Sequence, residues 1–146
     1  MKLTGPEGEF ELQILDYEYT DAPSFLDRNW LLVNLRTHYQ GREHTCTASL
    51  LSTWEIEMLL GWMQSVVSNR ELAPKVTFVE PSLSISNESA RKDKYEFCIK
   101  LAGEATPAWY EDHKRPFWLK VSPDPQELKG AIQDLKGQLE QFPVRE

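Results

Sequence analysis

The chain has 146 residues, 40% of them hydrophobic and 27% charged, a composition that excludes a disordered chain. Its 23 acidic and 16 basic residues leave a net charge of −7, which disfavours the nucleic-acid backbone as a partner. No apolar run approaches the roughly 20 residues that cross a bilayer, and the first residues do not have the pattern of a signal peptide. We therefore expect one cytoplasmic domain over residues 1–146 that binds neither nucleic acid nor a membrane.

Three strands are predicted at the start of the chain. In the segment 10–19, hydrophobic residues first alternate with polar ones, which is typical of a half-buried strand. The segments 30–39 and 42–50 are two further candidate strands. Gln40-Gly41 between them favours a hairpin turn, because tight turns need the positive φ angles that glycine adopts easily.

A helix is predicted after the third strand. Ser52 precedes Glu55 by three positions, which is the spacing of a capping box. We expect this helix to end near Ser68. Its apolar stripe has helical spacing, and we expect both of its tryptophans to lie in the core. The stripe consists of Trp54, Met58, Leu59, Trp62, Met63 and Val66.

Four more strands are predicted after Pro74. They cover the segments 76–78, 83–85, 95–101 and 117–121. The polar segment 87–93 is predicted to be a hairpin loop, and 103–116 a longer irregular stretch.

A second helix is predicted at the end of the chain. Asp124 can cap it, Pro125 occupies a position that tolerates proline, Glu127 is expected to complete a reciprocal cap, and Pro143 stops it. The whole pattern predicts an α+β fold, with one twisted antiparallel sheet of about seven strands and two amphipathic helices packed on one face.

A metal site is conceivable at the first hairpin. If its loop had three residues, His38 would face His44, and both could bind zinc together with Cys46. No fourth ligand is evident, and one residue of loop changes the register, so a metal-free histidine pair beside Glu43 is favoured. Neither a metal nor a cofactor is predicted. Cys46 and the second cysteine, Cys98, are expected to be reduced and buried.

No catalytic residues are predicted. The chain has neither a glycine-rich phosphate loop nor a nucleophile elbow. Asp124, Glu127 and Lys129 have a spacing that is similar to a nuclease motif, but they fall in the first turns of a helix, where capping explains both acids. We therefore expect a protein that is not an enzyme.

Two segments combine aromatic and acidic residues and are candidate partner-binding sites. The first contains Asp16, Glu18, Asp21 and Asp27, interleaved with Tyr17, Tyr19, Phe25 and Trp30. The second consists of Trp109, Tyr110, Glu111 and Asp112. Aromatic anchors with acidic neighbours suit a partner rich in Lys and Arg. The alternative is a solvated loop whose aromatic rings pack into the core.

The chain resembles the WapI-type immunity proteins, which are antitoxins to contact-dependent, wall-associated bacterial toxins. The resemblance rests on the segments 10–12, 30–33, 51–56, 78–83, 95–97 and 128–143. It implies a small cytoplasmic antitoxin without catalytic residues that binds and blocks the C-terminal domain of a toxin, an RNA-cleaving one in the type member. A nuclease domain tends to be basic, so an acidic inhibitor gains association rate from electrostatic steering.

Two other functions stay open. One is a cytoplasmic adaptor that binds another protein through a sheet edge or an acidic loop. The other is a small-ligand binder or enzyme, whose pocket would be lined by polar residues such as Arg36, His38 and His44. The sequence predicts no oligomeric state.

Overall fold

The computed structural model describes residues 1–70, 73–89 and 94–146. Over these residues the chain forms eight β-strands, three α-helices and one short 3-10 helix at Gly103–Ala105. The strands are β1 Lys2–Thr4, β2 Gly8–Tyr17, β3 Trp30–Tyr39, β4 Arg42–Ser52, β5 Lys75–Thr77, β6 Leu83–Asn87, β7 Phe97–Leu101 and β8 Phe117–Val121. The helices are α1 Phe25–Arg28, α2 Thr53–Val67 and α3 Pro125–Gln141. No helix within the described ranges is long and apolar enough to cross a membrane.

The α+β class is confirmed, but the prediction of a single seven-stranded sheet is wrong. The strands form two four-stranded antiparallel sheets, in the orders β1-β2-β3-β4 and β5-β6-β7-β8. The chain leaves the first sheet through α2, and the strands beyond this helix pair only with one another in the described structure. Alternation along a strand predicts that one face is buried, but it does not predict what covers that face.

Three short elements were absent from the sequence prediction: β1, α1 and the 3-10 helix at Gly103–Ala105. Strand β1 pairs with β2, with Leu3 opposite Phe10, and is too short to show a clear alternation. Helix α1 is a single turn whose N-cap is Ser24, and the Ser24 hydroxyl accepts a hydrogen bond from the Asp27 amide at 3.4 Å. An N-cap serine with an acid three residues later was the available signal for this turn.

The predicted caps of α2 and α3 are confirmed, except that the Glu127 side chain has a different partner from the one predicted. The capping box of Ser52 and Glu55 is present, and Asp124 accepts a hydrogen bond from the Glu127 amide at 2.8 Å. The Glu127 carboxylate does not complete a reciprocal cap, because it accepts hydrogen bonds from the amide and hydroxyl of Thr4 at 2.6 and 2.8 Å. This acid therefore attaches α3 to β1.

The two sheets meet where β1 ends beside β8. The Ser122 amide donates a hydrogen bond to the Thr4 carbonyl at 2.9 Å, although these residues belong to different sheets. Gly5 allows this approach, because a Cβ atom there would lie 2.8 Å from the Cα of Val121. Apolar side chains of both sheets, α2 and α3 form one buried cluster.

The two tryptophans of the α2 stripe have different surroundings. Trp62 is buried, as predicted, and its indole N–H donates a hydrogen bond to the Ala73 carbonyl at 2.8 Å. Trp54 is only half-buried and stacks on Phe25 of α1, so the prediction that it lies in the core is wrong.

Candidate partner-binding surface

The first candidate segment is a loop that leaves the end of β2, and we call residues 16–27 the acidic loop. Asp16, Glu18 and Asp21 are exposed, and Asp27 is half-buried. The loop contains no Lys or Arg. No residue in the described part of the chain forms an ion pair with any of these four carboxylates. They are therefore available to a basic partner.

A β-bulge directs the start of this loop. The register of β2 against β3 shifts between Ile14 and Asp16, and the strand ends at Tyr17 rather than continuing to Tyr19 as predicted. A bulge places one extra residue in a strand and redirects the side chains that follow it. Leu15 and Asp16 are both exposed as a result.

The C-terminal tail holds the acidic loop in place through Arg145. Its guanidinium group donates hydrogen bonds to the carbonyls of Tyr19 at 2.8 Å, Thr20 at 3.2 Å and Arg28 at 2.9 Å. It also lies 3.8 Å from the centre of the Tyr17 ring, a cation–π contact. A guanidinium group has five N–H donors in one plane and can bind several carbonyls at once. Arg145 can therefore order the loop through its backbone, without an ion pair to a carboxylate.

The backbone of the tail contributes as well. The Asn29 side chain accepts a hydrogen bond from the Arg145 amide at 2.7 Å and donates one to its carbonyl at 2.9 Å. The Tyr17 hydroxyl donates to the Pro143 carbonyl, and the Tyr17 ring meets Phe142 edge to face at 5.6 Å. We call Phe142, Pro143 and Arg145 the C-terminal clamp. The sequence carried no local signal for it, because its contacts join residues more than 100 positions apart.

Burial raises the pKa of Tyr17 above its ordinary value of 10.0, and nearby Asp16 adds to this, while the positive charge of Arg145 acts in the opposite direction. The hydroxyl therefore keeps its proton at neutral pH and remains a hydrogen-bond donor to the tail.

Aromatic residues in and next to the acidic loop are partly exposed, and one of them contacts α2. Tyr19 and Phe25 are about half exposed, and Trp30 is half-buried. The Phe25 ring stacks on Trp54 with 6.1 Å between centroids and 10° between planes. Aromatic and acidic side chains are thus both accessible here.

The second candidate segment has its aromatic rings turned inward. Trp109 stacks on Tyr39 at 5.8 Å and meets Phe117 edge to face at 5.1 Å. Tyr110 meets the same phenylalanine at 5.2 Å, and both rings pack against the buried cluster. Only the acidic residues Glu111 and Asp112 are exposed. The rings of this segment offer less surface to a partner than those of the acidic loop.

The two candidate segments do not form one surface. The acidic loop joins the sheet at Trp30, at the start of β3, whereas Trp109 packs on Tyr39 at the end of the same strand. A strand of ten residues is roughly 30 Å long. A partner that covers one segment therefore has to extend along the whole strand to reach the other.

The His38–His44 hairpin has a different register from the one considered for a metal site. Gln40 and Gly41 form its turn, with φ angles of 48° and 79°, so that His38 lies opposite Glu43 and His44 lies opposite Thr37. The cross-strand histidine pair is therefore wrong. Within the described residues, no group of three His, Cys, Asp or Glu side chains comes together at metal-binding distance.

The other polar groups of this hairpin bind nearby protein atoms. Arg36 lies 2.6 Å from Glu43 and 3.5 Å from Glu11, and the His44 ring accepts a hydrogen bond from the Ala108 amide at 3.3 Å. Both cysteines are free thiols, Cys98 buried as predicted and Cys46 only half-buried. Burial raises the pKa of both thiols, so neither is a reactive thiolate.

Comparison with known proteins gives one family and eight matching chains among solved structures, including two distant structural likenesses. The model of the immunity protein WapI-like family matches residues 2–143. No curated protein matches the chain. The solved structure of the plant transcriptional regulator PBF-2 is 10% identical, with a TM-score of 0.49 over 97% of this chain and 80% of that one. WHY3 from Arabidopsis thaliana is 9% identical, with a TM-score of 0.48 over 97% of this chain and 86% of that one.

Neither structural likeness bears on function, because both TM-scores lie below 0.5. The family match is different in kind, because it extends over nearly the whole chain and includes both sheets and both long helices. The chain belongs to the WapI-like immunity protein family.

Proposed function

We propose that this protein is a cytoplasmic antitoxin that binds the C-terminal domain of a cognate bacterial toxin and inhibits it stoichiometrically. The observation that carries the proposal is the family match over residues 2–143. A stoichiometric inhibitor needs an accessible surface rather than catalytic groups, and the acidic loop supplies such a surface. Neither nucleic acid nor a membrane takes part in this proposal.

The toxin domain is proposed to be basic, as a nuclease is. The net charge of −7 and the carboxylates of Asp16, Glu18 and Asp21 support this, because opposite charges on two partners accelerate their encounter. We place the contact at the acidic loop rather than at Glu111 and Asp112. Of the two segments, the acidic loop is the one that combines exposed carboxylates with exposed aromatic rings, and Arg145 of the clamp donates hydrogen bonds to its backbone.

The test is calorimetry with the toxin domain encoded directly upstream of this gene, together with growth rescue when both proteins are expressed. Tight one-to-one binding with rescue is the expected result. A folded antitoxin that neither binds nor rescues would contradict the proposal and would favour the adaptor function.

Charge reversal then tests the location of the contact. We expect the triple variant D16K/E18K/D21K to bind at least tenfold more weakly, mainly through slower association that depends less on salt. The matched control is E104K/E111K/D112K, which has the same net charge and alters three exposed acids outside the acidic loop, two in the segment 109–112 and one in the 3-10 helix at Gly103–Ala105. Equal weakening in both variants would indicate a general effect of charge and would contradict a contact at the acidic loop.

A further inference from the structure

We infer that four side chains, two at the end of the acidic loop and two on α2, form the apolar centre of the toxin interface, and that they take an apolar toxin side chain flanked by Lys or Arg. The four residues are Phe25 and Leu26 of α1 and Trp54 and Met58 of α2, and we call them the apolar platform. The inference rests on the proposed antitoxin function and names the site on which that function depends.

The platform is exposed although its residues are large and apolar. Phe25 is 48% exposed, Leu26 54% and Met58 44%, and Trp54 is half-buried. Single exposed hydrophobic residues are ordinary on a protein surface, but several next to one another mark an interaction site. Phe25 and Trp54 are in contact, and Met58 lies one helical turn beyond Trp54 on the same face of α2.

Helix α1 itself points to an external partner. None of its four residues is fully buried, and Phe25 and Leu26 each leave about half of their surface exposed although Phe25 stacks on Trp54. Helices of globular proteins owe most of their stability to the apolar face that they bury. This turn, which is capped by Ser24, instead leaves Phe25 and Leu26 exposed, so a partner could bury the rest of their apolar surface.

Hydrogen bonds connect the two helices of the platform within this chain. The Asn29 carbonyl, directly after α1, accepts hydrogen bonds from the amide and hydroxyl of Thr53 at the start of α2, at 2.9 and 3.2 Å. On its other side, Asn29 is bound to Arg145 of the C-terminal clamp. Side chains that are ordered in advance cost less conformational entropy on binding, which favours affinity.

The charges around the platform select the partner. Asp21, Asp27 and Glu57 lie within a few residues of the four apolar side chains, and α2 contains no Lys or Arg. The nearest base in sequence is Arg28, whose guanidinium donates a hydrogen bond to the Glu146 carbonyl of the tail. An apolar centre with an acidic rim fits a basic surface that has an apolar residue at its middle. A second copy of this chain fits poorly, because pairing two platforms would bring their acidic rims together.

The first experiment measures toxin binding by the double variant F25S/M58Q, with wild type and V67Q/W118S in parallel. The control alters two exposed apolar residues elsewhere on the surface. We expect the platform variant to bind at least 100-fold more weakly through faster dissociation, with the salt dependence of association retained, and the control to bind like wild type. If the platform variant bound as tightly as wild type, the inference would be overturned while the antitoxin function stood.

Two further measurements separate the other outcomes. The single variant L26Q leaves the stacked pair intact and is expected to weaken binding at least fivefold, so the test survives if F25S/M58Q does not fold. Sedimentation of the free protein is expected to show the same mass for wild type and F25S/M58Q. A wild-type dimer that the variant dissociates would reassign the platform to self-association. Failure of wild type to bind any toxin domain would overturn both proposals.

Discussion

The acidic loop and the segment 109–112 both combine aromatic and acidic residues, but their aromatic rings are exposed in the first and packed inward in the second. In the acidic loop, Phe25 is about half exposed and stacks on the half-buried Trp54. In the second segment, Trp109 and Tyr110 surround Phe117 and pack on the buried cluster. The same residue types thus form an accessible surface in one loop and extend the core in the other.

The difference arises from what lies beneath each loop. At the end of β3, Tyr39 and Phe117 provide aromatic surface on which Trp109 can pack. At the start of β3, the acidic loop is instead bound by the C-terminal clamp, in which Arg145 contacts the Tyr17 ring and the carbonyls of Tyr19 and Thr20. Aromatic and acidic residues in a loop therefore do not by themselves indicate a binding surface. The three predictions that follow test whether stability depends on one loop and binding on the other.

The largest expected effect on stability is that of W109A. We expect it to lower the free energy of unfolding by about 3 kcal/mol, because the substitution removes a large ring that packs on two aromatic neighbours. F25A should cost less than about 1 kcal/mol, because its ring is half exposed. Denaturation in urea measures both values.

The control for this prediction is W109F. The indole N–H of Trp109 is buried and has no hydrogen-bond partner in the described structure, so phenylalanine removes an unsatisfied donor and keeps most of the ring. We expect W109F to be close to wild type in stability and both variants to bind the toxin normally when folded. Loss of binding by a stable W109F would show that the second segment is the interface.

R145A is expected to have an intermediate effect that is localised to the acidic loop. Removing a charged donor that serves three carbonyls should lower the free energy of unfolding by about 2 kcal/mol. Amide hydrogen exchange should accelerate over residues 17–28, and toxin affinity should fall because the platform is no longer held in place.

The matched variant is R115A in the other loop. Its guanidinium is exposed and lies 3.5 Å from Asp112, so we expect a change within about 0.5 kcal/mol and unchanged exchange in the acidic loop. Unaltered exchange over residues 17–28 in R145A would contradict the role assigned to the clamp.

The smallest expected effect is the loss of stability when Tyr17 loses its proton at alkaline pH. Its pKa is raised in the folded protein, so its contribution to stability is complete below its ordinary value of 10.0 and is lost as the pH rises through the folded pKa. The difference in tyrosinate absorbance between wild type and Y17F should show the Tyr17 titration above pH 10.0.

The residues of the candidate site could be predicted from the local sequence, but the directions in which their side chains point could not. The acids and aromatic rings of both loops were identifiable because composition is visible in the sequence. Whether a ring such as Trp109 faces solvent depends on Tyr39, which is 70 positions away and meets it only in the folded chain. The register of the His38 hairpin changes if its turn is one residue longer or shorter, and composition does not determine the length of a turn.

The sequence by itself determined the positions of the long strands and helices and the caps at Ser52 and Asp124, because these depend on residues within one or two turns of one another. Only the tertiary structure decided that the strands divide into two sheets, that Trp62 is buried while Trp54 is not, and that Arg145 holds the acidic loop. Those outcomes depend on which distant surfaces meet. Alternation and helical spacing show that a face is apolar, and the partner of that face is chosen only when the chain packs.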